Sequence, residues 1–334
     1  MNEDERDLFE ELKNRFSGFG KVISLESFLP KLIETLKVSR DKDFTFLLVG
    51  RTGVGKSSTI NSLMGFEVAK TGKYDPTTME IAKYTNEING VKFTIIDTPG
   101  LCDALPEEGR DKDYIVSIHK QVEKVDCLWF VTRLDETRVT SDELRGIKII
   151  SQAFSPRIWE HAVLIFTRAD KADDYLEDFQ ERGKRIRQAI SKYTGPEVAD
   201  SIPTVAVANG KQTTPDGKNW LGELWTKVFV RIRDQGAIPF LMATIDRINY
   251  DSSQDNSNSR QHEPNWTWGN GSENFRVDFT EDLFKEVRAR LFSVVPILEE
   301  VGELVGSVVG HFVGGNKGSE FGGKTGKQEG GAVG

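Results

Sequence analysis

Short apolar runs alternate with longer amphipathic stretches through the middle of the chain. The apolar runs predict buried strands, because consecutive apolar residues bounded by polar turns suit a strand that is covered on both faces. The alternation indicates an α/β domain over 44–248, with a mostly parallel central sheet and helices on both faces. The strands are predicted at 44–49, 81–88, 91–96, 127–131, 162–166 and 202–207. Helical spacing of apolar residues predicts helices at 58–64, 114–122, 142–153, 175–193 and 219–233.

One strand of the sheet is expected to run antiparallel to its neighbour. Asn89 and Gly90 join the predicted strands 81–88 and 91–96, and this dipeptide favours the tight turn of a β-hairpin. Helix-like stretches separate the other strands, which is typical of parallel strands joined by crossover helices.

The segments outside this domain differ from it in composition. Residues 1–43 predict an amphipathic helical extension, which either caps the core or docks on a partner or a membrane surface. Residues 249–277 are rich in Ser, Asn, Asp and Gly and predict a flexible insertion or linker. We expect a helical segment at 278–315 and a disordered Gly-rich tail at 316–334.

Glycine recurs at every fourth position from Gly302 to Gly334. Up to Gly314 the intervening residues are mostly apolar, which gives a face of small residues suited to close helix packing in or on a membrane. Glu299 and Glu303 leave this apolar run shorter than the roughly 20 residues that a span needs. Two interpretations stay open, a membrane or protein partner bound through this C-terminal segment and a soluble flexible tail.

The charge of the chain limits the classes of partner. The 334 residues carry a formal net charge of −8 without a basic stripe, which argues against nucleic acid, because phosphate neutralisation needs clustered Lys and Arg. The 2 cysteines give no disulfide framework and suit a reducing compartment. The acidic N-terminus is unlike a secretory or transit signal. We expect a cytoplasmic protein, with peripheral attachment to the cytosolic face of a membrane as the alternative.

The junction of the first strand and the first helix carries the strongest motif. Residues 50–57 read Gly-Arg-Thr-Gly-Val-Gly-Lys-Ser and match G-x-x-x-x-G-K-[ST] in the strand, loop, helix context of a P-loop NTPase. Glycines let backbone N–H groups surround phosphate oxygens, Lys56 places a charge on the outer phosphates, and the Ser57 hydroxyl suits Mg²⁺. The predicted phosphate contacts are Arg51, Thr52, Gly53, Val54, Gly55, Lys56, Ser57 and Ser58.

Two downstream segments predict a nucleotide switch. The loop 71–78 is rich in breakers and can carry Thr77 or Thr78 to Mg²⁺, and the sequence does not decide between them. Asp97 ends a predicted buried strand and can hold Mg²⁺ through water. The N–H of Gly100 is then placed to sense the γ-phosphate.

The end of the strand at 162–166 predicts selection of the base. Thr167, Arg168 and Asp170 occupy the positions of an [NT]-K-x-D element, with arginine in place of lysine. A carboxylate there accepts both N–H edges of guanine and would stay unpaired against adenine. The alternative is that Asp170 caps the following helix. The backbone of Asn209 and Gly210, after the last strand, is expected to touch guanine O6.

Together these motifs resemble those of the Toc/GIMAP group of septin-like GTPases. The resemblance rests on segments 50–65, 93–101, 131–138 and 166–170, and it extends over about residues 40–245. The last two segments are closer to the chloroplast-import (Toc) receptors than to the animal immunity-associated (GIMAP) members.

The resemblance implies a GTPase that dimerises across its nucleotide face and uses its GTP or GDP state to regulate docking. It also implies a role for Arg133, which matches the arginine that reaches toward the partner's nucleotide in the Toc members. The sequence departs from the family at Arg168, where histidine is usual, and in its C-terminal tail.

Hydrolysis of GTP is expected to be slow. Leu101 stands where Ras-like enzymes carry the glutamine that orients water, so dimerisation or a partner should assist. The predicted catalytic residues are Lys56, Arg133 and Thr78. Two alternatives stay open, a nucleotide-locked scaffold of septin-like type without turnover and an ATPase, the latter because Arg168 weakens the base motif.

Overall fold

A mixed β-sheet of six strands forms the centre of the domain. The computed structural model describes residues 43–69, 81–88, 90–98, 110–136, 138–244, 247, 277 and 279–294. The strands are β1 (Phe44–Val49), β2 (Ala82–Ile88), β3 (Val91–Asp97), β4 (Cys127–Arg133), β5 (Ala162–Thr167) and β6 (Thr204–Ala206). The helices are α1 (Lys56–Met64), α2 (Arg110–Gln121), α3 (Ser141–Ala153), α4 (Tyr175–Thr194), α5 (Pro196–Ser201), α6 (Trp220–Arg231), α7 (Asp234–Thr244) and α8 (Glu281–Val294), with 3-10 turns at Pro156–His161 and Ala169–Lys171.

The burial of each strand explains its place in the sheet. The order is β2-β3-β1-β4-β5-β6, and every residue of β1 is buried because its side chains are covered on both faces. β1 pairs in parallel with β3 and β4, while β2 pairs antiparallel with β3 at the edge and alternates between half-buried and exposed residues. The carboxyl ends of β1, β3, β4 and β5 therefore meet at one edge.

Aromatic side chains fill the core beside β1. The ring of Phe44 stacks on Phe93 of β3 with centroids 5.3 Å apart, and Phe240 of α7 meets it edge-on at 5.8 Å. Phe46 packs on Trp129 of β4 with centroids 5.3 Å apart. These contacts hold the central strands and α7 in one core.

The helices pack around the sheet in two groups. In one group α1, α6 and α7 contact each other, and α7 and α6 also contact strands and α8. In the other group α2 contacts α3, α3 contacts α4, and α4 contacts α5. None of the helices in the described residues is long and apolar enough to cross a membrane.

The C-terminal helix α8 is part of the packed domain. Val287 is buried, and Glu286 lies 2.6 Å from the ammonium of Lys227 on α6. Arg290 donates to the carbonyl of Ile232 at 2.6 Å and pairs with Asp234 at 2.9 Å. α8 therefore covers α6 and the start of α7.

The residues that flank the polar segment 248–276 lie next to each other in the domain. The N–H of Val277 donates to the carbonyl of Arg247 at 2.9 Å. The Arg247 guanidinium donates to the carbonyl of Ser62 near the end of α1 at 2.9 Å. The residues on both sides of the polar segment 248–276 are thus fixed at one point of the fold.

The predicted fold class is confirmed. Among the strands only β1 has the predicted limits, and the two largest differences are at β6 and β4. β6 was expected at 202–207, but Ile202 ends α5, since its N–H donates to Ala199 and its carbonyl accepts from Arg187. β4 continues past 131, because the hydroxyl of Thr132 is buried in hydrogen bonds rather than solvated. Residues 1–42, 248–276 and 295–334 lie outside the described residues, and with them most of the predicted extensions, the linker and the glycine repeat.

Replacing Arg290 by methionine should destabilise the domain. The change removes the charge-assisted hydrogen bond to Ile232 and leaves a carbonyl at the end of α6 without it, so the free energy of unfolding should fall by about 1–3 kcal/mol. Urea unfolding followed by circular dichroism measures this change. Asp282→Asn on the same helix is the control, because that side chain is 93% exposed and its loss should stay within about 0.5 kcal/mol. Equal stability of the two variants would show that α8 does not depend on Arg290.

Candidate functional site

The phosphate loop packs closely against β4. A Cβ at Gly50 would lie 2.1 Å from the carbonyl oxygen of Val131, so only glycine allows this approach. Gly55 has φ of 103°, in the left-handed region, and is the N-cap of α1. Because Gly55 has no side chain to accept from the first turn of α1, the N–H groups of that turn stay available to an anion.

Two polar side chains tie the loop to the ends of the last strands. The Thr167 hydroxyl donates to the carbonyl of Val54 at 2.5 Å and lies 3.2 Å from the carbonyl of Thr132. The amide of Asn209 donates to the hydroxyl of Thr59 in α1 at 3.0 Å. In this structure the Thr167 side chain positions the loop, and the Asn209 side chain positions the helix α1 that follows it.

The ammonium of Lys56 lies inside the loop. It donates to the carbonyls of Gly50 at 2.8 Å and Arg51 at 3.2 Å, and the residue is only 6% exposed. Its nearest carboxylate oxygen is Asp97 Oδ1 at 3.6 Å, an ion-pair distance. Lys56 thus places a buried positive charge beside the backbone carbonyls of the phosphate loop.

Asp97 ends β3 beside this charge. The next residue, Thr98, donates its hydroxyl to the carbonyl of Leu48 at 2.9 Å and so fixes the end of β3 against β1. Burial raises the pKa of the Asp97 carboxyl, and the charge of Lys56 opposes that shift. Its Oδ1 atom is buried and makes no hydrogen bond to the described residues.

The other residues predicted to contact phosphate follow one another along the loop and the first turn of α1. They differ in exposure, as expected for a loop that is open on one side. Arg51, Thr52, Gly55, Ser57 and Ser58 are partly buried, Gly53 is exposed, and Val54 is buried.

The predicted base element lies at the end of β5. Arg168 has φ of 57°, an unusual value for a residue with a side chain, and its side chain is 46% exposed. The Asp170 carboxylate is 16% exposed and lies 3.6 Å from Lys171 and 3.8 Å from Lys211. The alternative role of Asp170 as a helix cap is wrong, because Asp174 caps α4 by accepting from the N–H of Glu177.

Charged side chains of alternating sign form a rim beside the phosphate loop, which consists of Arg51, Glu136, Arg133, Asp135 and Arg168. Arg133 donates to both carboxylate oxygens of Asp135, at 2.8 and 2.6 Å, and lies 3.6 Å from Glu136. Glu136 also pairs with Arg51 of the phosphate loop at 2.9 Å, and Asp135 lies 3.8 Å from Arg168. The hydrogen bond with Asp135 raises the pKa of the Arg133 guanidinium and lowers that of the carboxyl.

Sequence reasoning did not find the residues that hold this rim. Asp135 and Glu136 follow Arg133 directly, but nothing in their spacing shows that they pair with it. Glu143 could have been found, because Thr140-x-x-Glu143 is a capping box, and both of its hydrogen bonds are present. Arg182 stands at a helical position shared with buried residues of α4, a signal for a buried arginine.

Several predicted site residues lie outside the described residues. Thr77 and Thr78, the two candidates for the switch threonine, belong to the segment 70–80. Gly100, the predicted sensor of the γ-phosphate, belongs to 99–109. Gly210 is described and is exposed beside Asn209.

Comparisons with known proteins find relatives of this domain. Residues 44–199 match the AIG1 family. Translocase of chloroplast 34 from Arabidopsis thaliana is 28% identical over 235 residues, which cover 62% of this chain and 73% of that protein. Longer chloroplast translocases are matched over only 18%, 23%, 10% and 21% of their own length.

Two solved structures resemble the domain. One is a dimerization-deficient mutant of Toc33 from Arabidopsis thaliana, with 26% identity, a TM-score of 0.50, and coverage of 65% of this chain and 92% of that one. The other comes from work on the chloroplast translocon components atToc33 and psToc159, with 26% identity, a TM-score of 0.50, and coverage of 64% and 90%. With the phosphate loop and the strand order, these matches show that the domain of this chain is similar to the Toc-type GTPase G domain.

Proposed function

We propose that this chain is a guanine-nucleotide switch that binds GTP or GDP with Mg²⁺, hydrolyses GTP slowly and dimerises across its nucleotide face to regulate docking of a partner. The observation that carries this proposal is the buried ammonium of Lys56, which lies inside a glycine loop and 3.6 Å from Asp97. A buried cation beside the unpaired N–H groups of a helix is an arrangement that suits phosphate oxygens.

The residues near Lys56 fit a magnesium ion. Mg²⁺ prefers oxygen ligands, and Asp97 Oδ1 is a buried carboxylate oxygen without a hydrogen bond in the described residues. Ser57 and Asp97 would hold the ion, with Thr77 or Thr78 as the third protein oxygen. Bound there, Mg²⁺ would neutralise charge on the phosphate oxygens.

Selection of guanine is assigned to Asp170. Its carboxylate lies beside Lys171 and Lys211 and would accept from the two guanine N–H groups. The aliphatic part of the half-exposed Arg168 side chain would cover the base in place of the usual lysine. The Thr167 side chain holds the phosphate loop, and the Asn209 side chain holds α1, which follows the loop.

Catalysis in this proposal is mainly electrostatic. Lys56 stabilises the charge that develops on the transferred phosphoryl group, and the loop N–H groups hold the phosphates in line. With leucine at position 101, no glutamine orients the attacking water there, so turnover by a single copy is slow.

A second copy supplies the missing positive charge. Dimerization is important for the GTPase activity of atToc33 and psToc159, and we propose the same for this chain. Arg133 is partly exposed on the rim and would reach the nucleotide of the partner copy. Attachment to the cytosolic face of a membrane through the C-terminal segment completes the proposal.

Lys56→Ala should abolish tight binding of the triphosphate. The change removes a charge-assisted contact to phosphate, so the Kd for GTP should rise at least about tenfold. Calorimetric titration of the full chain with a non-hydrolysable GTP analogue measures it. Lys148→Ala is the control, because that lysine is 49% exposed on α3. Unchanged affinity in Lys56→Ala would remove the basis of the proposed function.

Asp170→Asn should weaken discrimination between the purines. The amide cannot accept from both guanine N–H groups, so the ratio of GTP to ATP affinity should fall at least about tenfold. Competition of GTP and ATP for a fluorescent nucleotide gives this ratio, and Asp173→Asn, at an exposed position, is the control. If the unmodified chain binds both purines equally, it is an ATPase candidate instead.

Arg133→Ala should remove the dependence of turnover on protein concentration. In the unmodified chain the rate per copy should rise as dimers form. At the same high concentration the rate of the variant should be at least about tenfold lower, while the variant still binds GTP. Phosphate release and sedimentation of the same samples provide both measurements. A chain that binds GTP and dimerises but releases no phosphate at any concentration would be a scaffold.

A further inference from the structure

A buried guanidinium lies beneath the segment that carries the charged rim. Arg182 of α4 is 2% exposed and donates to the carbonyls of Glu136 at 2.6 Å and Arg138 at 2.9 Å. It also donates to the Thr132 hydroxyl at 2.6 Å and to Glu143 Oε1 at 2.5 Å. One side chain thus binds the end of β4, the segment after it and the start of α3.

The partner of this guanidinium holds the far end of the same segment. Glu143 Oε2 accepts from the N–H of Thr140 at 2.8 Å, and the N–H of Glu143 donates to the Thr140 hydroxyl at 3.2 Å. Glu143 Oε1 also accepts from the Thr132 hydroxyl. The Arg182–Glu143 pair therefore fixes both ends of the connection between β4 and α3.

Stability alone does not explain this pair. Taking two charges out of water is unfavourable, and apolar replacements of a buried pair are often neutral or stabilising. What an apolar pair cannot do is bind two carbonyls, a hydroxyl and a carboxylate in one fixed geometry. The pair is therefore suited to hold a backbone shape.

The shape that it holds determines where Arg133 lies. Arg133 is the last residue of β4 and is bound by Asp135 and Glu136, and the carbonyl of Glu136 is one of the acceptors of Arg182. A shift of this segment would move both carboxylates, and with them the guanidinium of Arg133. Placement errors of about 1 Å cost up to about a hundredfold in rate.

The same helix connects this segment to the base element. α4 begins at Tyr175, shortly after the turn that carries Arg168 and Asp170, and Arg182 lies about two helical turns further along. A single rigid helix therefore links the residues near the base to those near Arg133.

We infer that Arg182, together with Glu143, is a positioning residue that presents Arg133 to the nucleotide of a second copy of this chain. This role rests on the proposed dimer function, in which Arg133 acts in trans. Arg182 touches neither nucleotide and acts only through the segment that holds Arg133.

Arg182→Lys is the test variant. Lysine keeps the charge opposite Glu143, but a single ammonium cannot replace the planar guanidinium at two carbonyls and a hydroxyl. The matched control is Arg187→Lys, because Arg187 lies on the same helix and donates to the carbonyl of Ile202, at 2.9 and 2.7 Å, away from the rim. Phosphate release by the full chain is measured across protein concentration, together with the Kd for GTP.

In Arg182→Lys the dimer-dependent kcat should fall about tenfold, while the KM, the Kd for GTP and the rate at low concentration change less than about twofold. Arg187→Lys should match the unmodified chain. In an Arg133→Ala background, Arg182→Lys should lower the rate by less than about twofold more, because both changes remove one function.

Two results would overturn the inference. One is a further tenfold loss in the Arg133→Ala background, and the other is an equal fall of the low-concentration rate. If Arg182→Lys does not fold, Arg182→Met with Glu143→Gln leaves no buried charge and should show the same loss. A rate that does not depend on concentration in the unmodified chain would instead refute the proposed dimer function, and this role with it.

Discussion

The closeness of the phosphate loop to the sheet is the constraint on which the site depends. Gly50 lies against the carbonyl of Val131 with no room for a Cβ, and the Thr167 hydroxyl holds the carbonyl of Val54. These contacts place the loop over the carboxyl ends of β4 and β5. Because β1 is buried between β3 and β4, the same core that stabilises the sheet also fixes Lys56 and Asp97.

In the proposed dimer, the rim would supply a positive charge to the nucleotide of the second copy. Arg133 is held by Asp135 and Glu136 within its own copy, so contact with a foreign phosphate competes with pairs that are already formed. A nucleotide carries more negative charge than either carboxylate, and the rim is only partly buried, so exchange of partners is electrostatically accessible. The pair of Arg182 and Glu143 is buried, whereas the pairs of Arg133 are partly exposed.

Local patterns predicted the fold better than the contacts at the site. Apolar runs revealed the strands because a parallel sheet buries both faces, and the glycine loop revealed the phosphate site because its residue types are needed where they stand. The predicted limits of β6 were wrong, because the carbonyl of Ile202 is bound by Arg187 of α4. The burial of the Thr132 hydroxyl was missed, because its partner Arg182 is far away in sequence. The partners of Arg133 were missed because the sequence does not show which of the acidic residues near it the backbone places against its guanidinium.

The hydrogen bond between Val277 and Arg247 has a structural consequence. Residues 247 and 277, on either side of the segment 248–276, are therefore held together in the fold. Closing a longer segment between two fixed residues costs only about 0.6 kcal/mol for each doubling of its length. A change in the length of the segment 248–276 should therefore leave the packing of α8 on α6 unchanged.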